Sequence, residues 1–286
     1  MDHVTGVAVS RRRFFRKSLV VPSEHGSWSW LLVPFLVGAA VAGLAALVVP
    51  EGQSIGLPLV LTLVGGLCAF LVRQPAAAWL RIRRGRANPA DEPLAVGWTL
   101  GLGTAAGLCL AGLLALGRFA LLWLVIPFAG VLLLYLAASR SGRAGVRALS
   151  TELVGAMGLA LMAPAALIAA SGRIQALDGA VWGLMAAQNG LGVLYVRLRL
   201  ADTHGRPGER GMALVGHIVG LAAVGAAGLL GWAPWLTAVP FAALLLRAVW
   251  AVRAPRPVAN VRRFGFSEVG VELLSGAWIV ASYLLY

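Results

Sequence analysis

Few side chains in this sequence can do chemistry, and they fall in a handful of places. Glu24-His25-Gly26-Ser27-Trp28 sets an acid and an imidazole beside a flexible glycine, just ahead of a long apolar run. Glu24 and His25 can pass a proton near neutral pH or pair with an arginine at headgroup level. The same stretch also reads as the interfacial start of a helix, capped by Ser27 or Glu24, with Trp28 and Trp30 in an aromatic belt. Arg73 and Gln74 are followed by Arg81. If the helix continues past Pro75, the two arginines share a face with Ala77 between them, and that face can hold an anionic headgroup or diphosphate. The simpler reading of both is a basic flank that snorkels to the interface.

A second group runs through Gln188, Asn189, Tyr195, Arg197 and Arg199. Mid-helix amides such as Gln188 and Asn189 bridge neighbouring helices or hold a polar ligand. His217, alone on an apolar stretch, reads as a hydrogen-bonded core residue. Glu152 opens another apolar stretch. Glu268 and Glu272, one turn apart, suit neutralisation of nearby arginines or proton movement. There is no phosphate-cradling glycine loop with lysine, no His or Cys ligand cluster and no serine nucleophile elbow. Cys68 and Cys109 each fall inside an apolar run and read as packing residues. No metal site, disulfide or cofactor is expected.

The elements carrying these groups are not those of a water-soluble domain. The 286 residues are 59% hydrophobic and 12% charged, with a mean hydropathy of +0.84; soluble domains carry about 25% charged residues. Nine apolar segments follow one another at 28–49, 54–74, 94–116, 119–139, 150–171, 177–197, 211–231, 234–252 and 267–286. Each is too long for a strand and suits a helix crossing a hydrocarbon core of ~30 Å. The expected fold is all-α, a polytopic membrane helix bundle of about nine transmembrane helices. A basic segment at 1–27 precedes a single nine-helix domain at 28–286. Glycine pairs at Gly103/Gly107 and Gly216/Gly220 suit close helix packing, and Pro34, Pro127, Pro164 and Pro240 are places where spans can break.

Charge gives the orientation. All but one of the 24 Lys and Arg residues are arginine, and all but Arg118 and Arg173 fall in every second gap between segments. The positive-inside rule puts those gaps and the N-terminus in the cytoplasm and the C-terminus outside. Two cytoplasmic gaps, 73–93 and 198–210, are long. The net charge of +13 lies at segment ends, which points to anionic lipid headgroups and not to nucleic acid. The run Ser10-Arg11-Arg12-Arg13-Phe14-Phe15-Arg16 resembles a twin-arginine export signal. Pro22, Glu24 and His25 interrupt the apolar region such a signal needs, so an uncleaved cytoplasmic anchor is expected.

Glu24-His25-Gly26-Ser27-Trp28, Arg73-Gln74-Pro75 closing the second segment and Tyr195-x-Arg197 closing the sixth together resemble the YwiC-like family of bacterial integral membrane proteins. That resemblance implies the bacterial inner membrane and carries no activity. A more distant likeness in span number and loop lengths is to UbiA-type intramembrane prenyltransferases. Their two long cytoplasmic loops carry Asp-rich motifs that hold Mg²⁺ against an isoprenoid diphosphate. Here those stretches read Arg73-Gln74-Pro75-Ala76-Ala77-Ala78-Trp79-Leu80-Arg81 and Tyr195-Val196-Arg197-Leu198-Arg199-Leu200-Ala201-Asp202, without the metal-binding carboxylates. The expectation is therefore a metal-free membrane protein binding an anionic or amphiphilic ligand, a lipid or an isoprenoid, at its cytoplasmic side. Arg73, Gln74, Arg81, Asn189, Tyr195 and Arg197 would contact it, with Glu24 and His25 at the mouth. A diverged isoprenoid or lipid transferase, a small-anion or lipid transporter and a non-catalytic assembly partner are the alternatives.

Overall fold

The computed structural model describes residue 19, residues 26–48, 53–141 and 145, and residues 148–286. The Ser10–Arg16 run, Glu24, His25, Arg143 and Arg147 lie outside the described residues. Of the described residues 85% are helical and none is in a strand. Its helices are α1 Gly26–Val48, α2 Leu57–Arg83, α3 Glu92–Ala115, α4 Leu122–Ala138, α5 Leu149–Leu159, α6 Met162–Ser171, α7 Ala176–Thr203, α8 Arg210–Leu229, α9 Ala238–Arg253 and α10 Val261–Leu284. Short 3-10 turns lead into α3, α4 and α9.

Among the described residues, eight helical stretches are long and apolar enough to cross a membrane, with α5 and α6 counted as one. The expectation of nine apolar spans is corrected at the sixth. That segment is α7, a 28-residue helix that is not among the eight. It carries Asp178, Gln188, Asn189, Arg197, Arg199 and Asp202, and it buries Asp178, Gln188, Asn189 and Arg199 inside the protein. A reciprocal box opens it: the Gln175 side chain accepts from the backbone of Asp178, and the Asp178 carboxylate accepts from Gln175 N at 2.7 Å.

The two long gaps are corrected as well. α2 runs to Arg83 and α7 to Thr203, so most of 73–93 and half of 198–210 are helix. α10 likewise starts at Val261, ahead of its expected apolar segment. These helices run on past the apolar residues that mark their segments in the sequence.

Of the four prolines expected to break spans, Pro34 and Pro127 sit inside continuous helices. Pro240 lies in the first turn of α9, where no amide hydrogen is required. A break occurs only at Ala160–Leu161, just before Pro164 in the first turn of α6. There Leu161 N turns to Gly158 O at 3.1 Å, which frees the Met157 carbonyl; Trp182 Nε1 of α7 donates to it at 3.4 Å.

α1, α6 and α7 form the central wedge. The α2–α3 pair and α4 pack on one side of it, and α8, α9 and α10 on the other. α6 is buried from Met162 to Ala170. Gly38 makes the α1–α6 approach possible, because a Cβ there would strike the Ala163 backbone. Gly216 and Gly220 meet Leu194 and Leu191 of α7, whereas Gly103 and Gly107 have open space beside them and no close helix partner. α4 has no buried residue and exposes Trp123 and Ile126 outward, a surface suited to lipid and not to water.

The arginine-rich connections meet at one end of the bundle. Arg86 Nη1 donates to Arg140 O at 2.7 Å, Arg199 Nη2 to Arg256 O at 3.3 Å and Val258 N to Thr203 Oγ1 at 2.9 Å. At the other end Ser54 N donates to Ala170 O at 2.9 Å.

Candidate functional site

Two concavities flank the wedge. The first is an apolar cleft of about 350 Å³ between α3 and α4, floored by α2 and α6, with Leu31, Gly65, Phe128 and Met162 among its walls. Arg73 and Tyr135 stand at the basic end of this cleft. The Arg73 guanidinium lies 4.3 Å from the Phe70 ring centre and 5.2 Å from that of Tyr135. Its Nη2 donates to Ser27 Oγ at 3.2 Å, and Trp28 meets Phe70 edge-on at 5.2 Å. Stacking on two rings holds the cation in a fixed orientation at the mouth of an oily slot. Gln74 and Arg81 are half-buried farther along the same helix, Arg81 about 12 Å on at 1.5 Å per residue.

The α7 residues go to different places. Asn189 is buried, and its Nδ2 donates to Trp30 O at 3.0 Å and Ala156 O at 2.9 Å. The first carbonyl would ordinarily accept from residue 34 of its own helix, but that residue is Pro34 and has no N–H. Asn189 thus supplies the bond that Pro34 removes, and ties α1 and α5 to α7. Arg197 pairs with Glu152 of α5 at 2.8 Å in a half-exposed position. Tyr195 faces the opposite side and is buried under Arg247, whose guanidinium lies 3.8 Å from its ring centre. Arg73, Arg197 and Tyr195 therefore do not converge on one point.

Tyr195 leads to the second concavity, a cavity of about 640 Å³ bounded by α1, α7, α9 and α10. Arg247 Nη1 lies 2.9 Å from both oxygens of Glu268, with 21% and 17% of the two side chains exposed. One turn farther, Glu272 is buried, and Gln188 Nε2 donates to its backbone carbonyl at 3.1 Å. His217 is fully buried on α8, its Nδ1 2.7 Å from Ala213 O. Sequence reading singled out Glu268, Glu272, Gln188 and Tyr195 without joining them. The missed member is Arg247, read as a loop flank although it sits six residues before the end of α9; an arginine that deep in a span is itself a sign of a partner. Among the described residues no group of His, Cys, Asp or Glu could hold a metal ion.

An all-helical bundle with eight apolar helices and a polar interior defines a multi-pass membrane protein. The model of the YwiC-like protein family matches residues 21–167, just over half of the chain, and the chain belongs to that family. The matched region contains Glu24–Trp28 and Arg73-Gln74-Pro75 and stops before Tyr195-x-Arg197. No curated protein and no solved structure matches the chain.

Proposed function

We propose that the protein binds a membrane amphiphile, a lipid or an isoprenoid, with its chain in the α2/α3/α4/α6 cleft and its anionic headgroup at Arg73. The observation that carries this reading is an apolar slot ending at a guanidinium held between two rings. The planar guanidinium suits an anionic headgroup, which it can meet with parallel N–H donors. Gln74 and Arg81 extend the polar path along α2. Glu24 and His25, which directly precede α1 in the sequence, are the proposed acid and base of this site, whereas Asn189, Tyr195 and Arg197 are engaged elsewhere, in helix bridging, under Arg247 and with Glu152. In this reading residues 28–286 are one UbiA-like domain of the bacterial inner membrane, with the basic 1–27 segment in the cytoplasm and the C-terminus outside. Binding needs no metal, because arginine meets the anion directly.

The test is native mass spectrometry with lipid extraction on protein purified in mild detergent. A discrete amphiphile on the wild type that is missing from Arg73→Ala/Arg81→Ala is the expected result. The same amphiphile on both proteins sinks the site.

A transport reading draws on one further observation, the break between α5 and α6 inside an otherwise continuous span. Interrupted helices line the substrate paths of many transporters. Lipid or anion flux in proteoliposomes tests it, and absence of flux above protein-free vesicles argues against it.

A further inference from the structure

Glu272 lies about halfway along α10, is 7% exposed and makes no ion pair with a described residue. Its Oε1 has no hydrogen-bond partner, and neither has Oε1 of Gln188, which is 5% exposed. Both side chains line the 640 Å³ cavity together with Ser29. The Ser29 hydroxyl lines the same cavity and donates to Gly26 O at 2.8 Å, so its lone pairs remain available. Three oxygen acceptors therefore stand in one cavity with no donor assigned to two of them. Buried polar atoms are ordinarily satisfied, and such exceptions ask for an occupant.

The chemistry of the occupant follows from what the cavity offers. Three acceptors, one of them a carboxylate, match the three N–H donors of a primary ammonium. Trp30 and Phe264 belong to the same lining, and aromatic side chains are suited to a cation. Arg247 is neutralised by Glu268, and Arg262, also in the lining, lies about three turns before Glu272 on α10. The volume falls within the ~300–1,000 Å³ of small-molecule sites.

We propose that the Glu272–Gln188–Ser29 cavity binds a primary ammonium group, carried by a small soluble amine or by an aminolipid headgroup. It is separate from the Arg73 cleft and does not depend on the reading given to that cleft.

The test is thermal unfolding of the full-length protein in detergent, titrated with ethanolamine. Tetramethylammonium, which has no N–H donor, and sodium chloride serve as comparisons. A parallel arm reads native mass spectra after exposure to phosphatidylethanolamine or phosphatidylcholine. The expected result is saturable stabilisation by ethanolamine, retention of phosphatidylethanolamine over phosphatidylcholine, or both. The first marks a soluble amine and the second alone a lipid headgroup. Either response weakens about tenfold in Glu272→Gln. If Glu272→Gln does not fold, Gln188→Leu and Ser29→Ala take its place, each checked for a cooperative melt without ligand. The proposal is overturned if no arm responds, if tetramethylammonium or phosphatidylcholine does as well, or if the variants respond like the wild type.

Discussion

The cleft below Arg73 and the cavity around Glu272 lie on opposite sides of the α1–α6–α7 wedge, and they handle charge in opposite ways. In the cleft the walls are apolar, and the single cation stands at one end, held by Phe70, Tyr135 and Ser27. In the cavity the charges lie inside helices: Arg247 and Glu268 neutralise one another, and Glu272 sits a turn deeper. The difference comes from the neighbours. α3 and α4 expose much of their surface outward and have few buried residues or none, so they bring little polarity to the cleft. The cavity is walled by α7 and α10, both of which bury polar side chains. Deep ionisable groups need either a partner from a second helix, as Glu268 gives Arg247, or a polar cavity, as beside Glu272.

The comparison can be overturned by substitution, and the largest effect is expected at the mostly buried Arg247–Glu268 pair. Glu268→Ala strands Arg247 and is expected to cost about 3 kcal/mol, the low end of the range for breaking a buried pair from one side, because about a fifth of each side chain is exposed. Unfolding in detergent reads it, and a wild-type melt would show that the pair is solvated after all. Gly38→Ala is next, because the new methyl meets the Ala163 backbone and not a movable side chain. A loss of about 1–3 kcal/mol is expected, and an unchanged melting temperature means that α1 and α6 are farther apart than described.

Asn189→Leu should cost about 1–2 kcal/mol, since it removes the donor to Trp30 O and Ala156 O. The loss should shrink in a Pro34→Ala background, where residue 34 regains an N–H for the Trp30 carbonyl. Equal losses in both backgrounds would contradict the assignment of that bond. Arg197→Ala, by contrast, breaks only a half-exposed pair with Glu152 and is expected to cost ~1 kcal/mol or less. A loss as large as that of Glu268→Ala would erase the distinction between the two kinds of ion pair. Smallest is Gly103→Ala, with open space at the new methyl. It should leave stability unchanged or raise it by up to ~1 kcal/mol through helix propensity; a clear loss would reveal a partner helix on that face.

How much was legible in the chain differs residue by residue. The apolar runs located eight stretches that can span, and alternation of arginine-rich gaps matched the end where Arg86 meets Arg140 and Arg199 meets Arg256. The sixth segment misled, because the summed apolarity of α7 is diluted by polar residues that face protein. Proline misled too: Pro34 leaves α1 unbroken because a residue far away in the chain serves the freed carbonyl. Of the two glycine pairs, spacing alone could not say that only Gly216 and Gly220 face another helix. Arg73 was legible as a functional candidate, but the apolar slot beside it draws on six helices and has no local signature.

What this sequence determined alone is its solvent, its helical class and the end of the bundle that gathers positive charge. All three depend on runs of neighbouring residues, so they can be read without knowing what touches what. The tertiary structure decided which polar groups meet. Arg247 finds Glu268 21 residues away, and Asn189 finds Trp30 at a separation of 159. Such pairings follow from how helices pack, through contacts like Gly38 on Ala163. In a low-dielectric interior that packing decides whether a charge is neutralised, as at Arg247, or left facing a cavity, as at Glu272.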